Sequence, residues 1–185
     1  FRLPEWQEIE TVAIPEGVRL TLCISSQAGC ALQCAFCATG RMGFQRNLAA
    51  WEIAAQVREM ALLDPPIAVT NVVFMGMGEP MMNWPAVDTA LTILNSPRGL
   101  GIGARHITVS TVGVLPGNVA VRDRPEQVRL AISIHPPPDE VRTTLIPVTI
   151  KAPLSGVLGR PQTFTRLATL DHDVAVWRGG AAGHP

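Results

Sequence analysis

Apolar and polar positions alternate in short stretches along this chain, and longer stretches between them repeat at helical spacing. Arg19 to Ser25 alternates Leu20, Leu22 and Ile24 with smaller or polar partners, which predicts a strand. A loop rich in cysteine and glycine follows. From Leu48 to Leu63 the apolar residues Ile53, Val57, Met60 and Ala61 recur at helical spacing with no Pro or Gly, predicting a helix with Asn47 as its N-cap. Asp64-Pro65-Pro66 closes that helix. Asn71 to Met75 (NVVFM) predicts a buried strand running into Gly76-Met77-Gly78-Glu79-Pro80. Pro85 to Leu94 predicts a second helix, with Pro in its first turn. His106 to Ser110 and Val128 to Ile134 predict two more strands, and Asp139 to Leu145 opens a further helix.

Strands alternating with helices make an α/β chain of about four parallel βα units. Each predicted strand runs into a polar or glycine-rich loop: Cys30 to Cys37, Gly76 to Pro80, Ser110 to Gly113, and Ser133 to Pro138. In parallel β/α architectures the active site lies at the C-terminal ends of the strands, so these loops should share one mouth. Residues 1–18 read as the remnant of an N-terminal region, residues 19–154 as a partial core, and residues 155–185 as a weakly structured tail without strand–helix rhythm.

Composition narrows the class. Hydrophobic residues make up 47% of the 185, enough for a core. Fifteen basic and 15 acidic residues cancel, which argues against a chain-wide polycationic mode of nucleic-acid binding while leaving a local basic patch open. Arg41 and Arg46 flank the cysteine loop as possible phosphate contacts, solvated surface arginines being the plainer reading. No apolar run reaches the roughly 18 residues that span a membrane, and Phe1 to Glu10 carries Glu5, Glu8 and Glu10 in place of an apolar signal segment. No membrane partner is expected.

All 4 cysteines fall between Cys23 and Cys37. That clustering, without an export signal, points to metal or redox chemistry in a reducing, cytoplasmic compartment. Cys30, Cys34 and Cys37 are spaced C-x3-C-x2-C. Three thiolates on one short loop can ligate three irons of a cubane cluster and leave the fourth iron open to a small molecule. The competing reading is a zinc ion held by those three and Cys23, although zinc sites usually pair C-x2-C elements. At the next strand end, glycines allow close backbone approach to a ligand, and Glu79 offers a carboxylate that can receive an ammonium group.

Together these residues resemble the radical S-adenosylmethionine (SAM) superfamily, whose cluster motif has an aromatic before the last cysteine and whose methionine-binding loop reads GEP. The segments LCISSQAGC (22–30), FCATG (36–40), GFQRNL (43–48), FMGMGEP (74–80) and RHITVSTVG (105–113) narrow the resemblance to RlmN/Cfr-type RNA methyltransferases. It extends over about residues 8 to 154. The resemblance implies a partial TIM-like (βα) barrel and a 4Fe–4S cluster on Cys30, Cys34 and Cys37. It implies SAM binding by Gly78, Glu79, Ser110, Ser133, Ile134 and His135. It implies that Glu10 is a proton acceptor, and that Cys23 resolves a protein–RNA crosslink by forming a disulfide. The implied substrates are large-subunit ribosomal RNA and transfer RNA, methylated at carbon 2 of an adenine, with a reductant protein feeding the cluster. In the family one SAM methylates a carrier cysteine, a second SAM is cleaved, and the methyl carbon is delivered to the base. The bland alternatives are a solvated Glu10, a buried strand thiol at Cys23, and ordinary strand-end residues at Ser110, Ser133 and His135.

The chain departs from the family at its far end. No cysteine follows Cys37, so the carrier thiol has no counterpart, and Pro137 and Thr149 stand where asparagines are usual. The expectation is a truncated homologue, inactive by itself as an RNA methyltransferase. The alternatives are another radical SAM activity that needs no carrier cysteine, and a zinc-bound nucleic-acid-binding module.

Overall fold

The computed structural model describes residues 1–114, 120–121, 123–133, 145–146, 167–171 and 174–178. A sheet of 7 strands runs in the order β1-β2-β5-β6-β7-β9-β8, and a second sheet pairs β3 with β4. The strands are β1 (Val12–Glu16), β2 (Arg19–Cys23), β3 (Gln27–Gly29), β4 (Phe44–Asn47), β5 (Asn71–Phe74), β6 (Ile107–Thr111), β7 (Arg129–Ser133), β8 (Leu167–Asp171) and β9 (Val174–Arg178). The helices are α1 (Ala38–Arg41), α2 (Ala50–Ala61) and α3 (Trp84–Asn95). β2, β5, β6 and β7 are mutually parallel, as expected of an α/β partial barrel. β1 and β9 close this parallel block with antiparallel pairing on either side.

The period-2 pattern of the parallel strands sorts their side chains onto two faces. Leu22, Val72, Phe74, Ile107, Val109, Leu130 and Ile132 point to one side and are buried. Against them lie Ile53 and Val57 of α2 and Val87, Leu91 and Leu94 of α3, in one continuous core. Cys23, Val73, Thr108, Ser110 and Ser133 occupy the opposite face and are half-buried. That face is where a barrel lumen would lie.

Several boundaries differ from those the sequence predicts. β1 falls within the supposed N-terminal remnant. Every residue of it is exposed, so no alternation marks it. It joins β2 through a turn at Gly17, whose φ is 58°. Asn47 is not the N-cap of α2; it ends β4. Ala49 takes the cap position, and its N–H donates to the Glu52 carboxylate at 2.8 Å, which leaves the helix one reciprocal cap bond from its third position. α3 begins one residue before Pro85, directly after a 3₁₀ turn over Pro80–Asn83. Residues 155–185, read as a weakly structured tail, contain β8 and β9, antiparallel to each other, with β9 also antiparallel to β7. The helix predicted over 139–145 lies outside the described residues apart from Leu145. No helix among the described residues is long and apolar enough to cross a membrane.

Candidate active site

β2 carries Cys23 at its C-terminal end, and the chain then folds back through β3. β3 and β4 form a hairpin, and the loop between them holds Cys30, Cys34 and Cys37. The neck of the loop is closed by the Cys30 N–H donating to the Gly43 carbonyl at 3.0 Å. The Cys37 N–H donates to the Cys34 carbonyl at 3.1 Å, and Cys37 precedes the short helix α1. Cys30 and Cys34 are buried, Cys37 is half-buried, and all are free thiols. They pack with Leu32, Val112, Leu145 and Ile146 in a small apolar cluster separate from the main core.

The thiols lie in one another's electric field. Burial pushes Cys34 up to about 11, reinforced by the neighbouring Cys30, Cys37 and Glu79. Burial also raises Cys30; the Leu32 backbone pulls it down, while Glu79 and Cys37 push it further up. Thiols that resist ionisation next to one another give a donor set that a positively charged centre would relieve. Among the described residues no three Cys, His, Asp or Glu side chains surround a single ion. Cysteines that hold three different irons need not do so, because each sulfur meets its own metal. Cys23 stands apart. Burial raises its pKa too, the Met75 backbone lowers it, and the charge it feels is that of Glu10. That separation counts against the four-thiolate zinc site.

The glycine-rich loop after β5 docks onto the turn after β2. The Gly76 N–H donates to the Ile24 carbonyl at 3.1 Å, and the Met77 carbonyl accepts from the Ser26 N–H at 2.8 Å. The Ser25 hydroxyl accepts from the Met77 N–H at 2.9 Å and donates to the Glu10 carbonyl at 2.7 Å. Glu79 is buried, and its carboxylate accepts the Met81 N–H and the Val112 N–H, each at 3.1 Å. Burial pushes its pKa up against the pull of the Thr111 hydroxyl and those two amides. Val112 follows β6, so Glu79 ties the end of β6 to the end of β5. Its field reaches Cys30 and Cys34. The predicted convergence of strand-end loops is therefore present for β2, β5 and β6.

Glu10 is exposed, and its backbone is pinned beside Met77. It lines a cleft of about 520 Å³ with Ile9, Ala38, Thr39, Met42 and Met77, at the exit of the cysteine loop. Its carbonyl accepts from the Ser25 hydroxyl, two residues after Cys23, and its charge adds to the rise of the Cys23 thiol. Ser110 and Ser133 sit on the same sheet face as Cys23, at the ends of β6 and β7. Ile134 and His135 lie outside the described residues. A cleft of similar size, about 540 Å³, is lined by Phe1, Trp6, Trp51 and Ala55 among others and includes none of the candidates. Arg46 is engaged: it grips the buried Glu52 carboxylate with two bonds of 2.8 Å and pairs with Glu5 at 3.1 Å. Arg41 donates to the Ala35 carbonyl at 3.2 Å.

Sequence reasoning missed the buried polar brace behind the site. Gln56, fully buried on α2, accepts the Ser25 N–H, donates to the Ser25 carbonyl and accepts the Thr11 hydroxyl, each at 2.8 Å. Asn83 donates to the Ser26 and Leu48 carbonyls at 2.8 Å. Gln56 was detectable, because it stands three residues after Ile53, inside the apolar stripe of α2, where a polar side chain needs partners.

The profile of the Radical SAM superfamily matches residues 24–155. A probable dual-specificity RNA methyltransferase RlmN of Gemmatimonas aurantiaca is 63% identical over 185 residues, 100% of this chain and 51% of that protein. The dual-specificity RNA methyltransferase RlmN of Desulfotalea psychrophila is 47% identical over 173 residues, covering 89% of this chain and 48% of that protein. A crystal structure of a radical SAM methyltransferase from Sphaerobacter thermophilus superposes with a TM-score of 0.80 at 41% identity, covering 85% of this chain and 47% of that one. The chain thus spans about half the length of the curated relatives it matches.

Proposed function

This chain belongs to the radical SAM superfamily, and from that premise we propose that it is the cluster- and SAM-binding core of an RNA methyltransferase. The observation that carries the reading is that Cys30, Cys34 and Cys37, on the β3–β4 loop, pack in one cluster with Val112 at the end of β6, whose N–H is held by the buried Glu79 at the end of β5. Cys30, Cys34 and Cys37 would hold a 4Fe–4S cluster. With SAM bound, that cluster supplies an electron and reductive cleavage of the sulfonium. Leu32, Val112 and Ile146 pack around the thiols and help keep water from the buried Cys30 and Cys34. The backbone of Gly78 and Glu79 presents the site for the methionine end of SAM. Ser110 and Ser133 line the continuation of that site along the lumen face. Ile134 and His135 belong to the same set by resemblance.

Glu10 and Cys23 face the substrate side. Glu10, exposed beside the cleft, is the proton acceptor. Cys23, half-buried at the end of β2, is the thiol that would release product once a carrier cysteine is supplied. Its thiolate would bond to the carrier sulfur as the carrier S–C bond to the RNA breaks, the carbon keeping the electron pair and taking a proton. The substrates proposed are adenines of large-subunit ribosomal RNA and of transfer RNA, modified at carbon 2 in the cytoplasm, with a reductant protein as electron source. Residues 19–154 form the working core. No cysteine follows Cys37, so the carrier thiol required for methyl transfer is absent from these 185 residues.

Anaerobic reconstitution with iron and sulfide, then reduction with SAM present and assay for 5′-deoxyadenosine, tests this. The expected result is bound iron with acid-labile sulfide, SAM cleavage, and no methyl transfer to RNA. Bound zinc without sulfide overturns the cluster; methylated RNA overturns the requirement for the carrier.

A further inference from the structure

Gln27 touches each of the three loop residues that lead into the proposed SAM site. Its backbone N–H donates to the Met77 carbonyl at 3.1 Å. Its aliphatic stem walls Gly78, where a Cβ would lie 2.5 Å from the Gln27 Cβ and 2.7 Å from its Cγ. Its side-chain Oε1 accepts the Glu79 N–H at 2.9 Å. The remaining end of the amide donates from Nε2 to Asn47 Oδ1 at 2.8 Å. A backbone N–H can only donate, so the oxygen of Gln27 must face Glu79 and its NH₂ must face Asn47. Gln27 is 1% exposed, and Asn47 ends β4 in the hairpin that carries the cysteine loop.

Resting on the reading that Gly78 and Glu79 receive SAM, we infer that Gln27, oriented by Asn47, is a positioning residue that holds the Gly78–Glu79 backbone in its ligand-receiving conformation and locks it to the cysteine hairpin. The Glu79 carboxylate is turned toward Met81 and Val112, and the acceptor that its own N–H meets is Gln27. Without Gln27 the buried N–H must find another acceptor, and the loop turns to reach one. The receiving conformation then becomes a fraction of the population, and the apparent affinity for SAM falls by that fraction.

The full chain reconstituted with iron and sulfide serves as the reference. Gln27→Met keeps the wall against Gly78 and removes both amide bonds. It is expected to bind SAM about tenfold more weakly by equilibrium dialysis, with unchanged iron and sulfide content and faster hydrogen exchange at the Glu79 amide. Asn47→Ala, at an exposed position, weakens SAM binding about threefold by itself and adds nothing to Gln27→Met, since both act through one amide. SAM affinity equal to the parent in Gln27→Met overturns the inference, as does full additivity in the double variant. If Gln27→Met fails to fold, Asn47→Ala decides: unchanged affinity there overturns it. A parent chain that binds no SAM, with normal Glu79 exchange, sinks the SAM-site reading and this inference with it. An intact parent with insensitive variants sinks the inference alone.

Discussion

Gly78→Ala separates two costs that the glycine-rich loop avoids. The φ of Gly78 is 97°, a conformation that side-chain-bearing residues rarely adopt, and forcing it costs about 1–3 kcal/mol. The added Cβ would also lie 2.8 Å from the Gln27 backbone nitrogen as well as against its Cβ and Cγ. The nitrogen and Cβ move only with the β3 backbone, so no rotamer change relieves those two contacts, and overpacking adds about 1–3 kcal/mol. The total is roughly 2–6 kcal/mol, lowered by about 0.4–1 kcal/mol because alanine also restricts the unfolded chain. Gly17→Ala is the internal control. Gly17 has a φ of 58°, yet a Cβ there meets nothing within 4 Å, so only the conformational cost of about 1–2 kcal/mol applies. Urea unfolding of both variants reads the difference. Gly78→Ala should lower the midpoint by roughly 1–2 M more than Gly17→Ala, for a slope of about 1–3 kcal/mol per M. It should also abolish SAM binding, which Gly17→Ala leaves intact. Equal midpoints would refute the close approach of the loop to Gln27.

Three further outcomes follow from the same geometry. Arg46 holds the Glu52 carboxylate below its usual range, so the stability this pair contributes is present above the ordinary carboxylate pKa, about 4.3, and is lost as pH falls through the lower folded value; urea midpoints of the parent and Glu52→Gln should differ at pH 7 and converge in acid. Gln56→Leu strands the Ser25 N–H and carbonyl inside the core and should destabilise by about 2–4 kcal/mol in the same assay; a loss under 1 kcal/mol would mean that water replaces the amide. Replacing Cys30, Cys34 or Cys37 singly with Ala should abolish the brown iron–sulfide absorbance on reconstitution, while Cys23→Ser retains it; loss of colour in Cys23→Ser would place that thiol among the ligands.

The parallel core was legible because its strands carry the signals that burial imposes. NVVF and HITVS place apolar residues where α2 and α3 cover them, and Pro85 marks the first turn of α3. The candidate loops were legible because their chemistry is carried by rare residue types at fixed spacing. β1, β3, β4 and α1 were not. β1 is exposed throughout, and β3, β4 and α1 span 3 or 4 residues each, too short for a period to register. Asn47 has the chemistry of a cap, but its side chain is taken by Gln27. Ser25, Ser26 and Gln27 look like surface residues by type, and only the tertiary fold reveals their burial. Arg46 likewise resembles a free cation until Glu52 is seen beneath it.

The brace around Ser25, Ser26 and Gln27 draws its partners from far along the chain, and this sets the order of events during synthesis. The bond between Gln27 and Glu79 joins residues 52 apart, and that between Ser26 and Asn83 joins residues 57 apart. Closing a loop of that length costs roughly 3.5 kcal/mol of chain entropy before any contact is made. At about 5–20 residues per second, Glu79 leaves the ribosome roughly 3–10 seconds after Gln27. Cys30, Cys34 and Cys37 emerge early in that interval, without the pocket that later covers two of them. Cys30 and Cys34 are therefore most open to oxidation during translation, and loading of the proposed cluster would compete with that oxidation from the moment the loop is made.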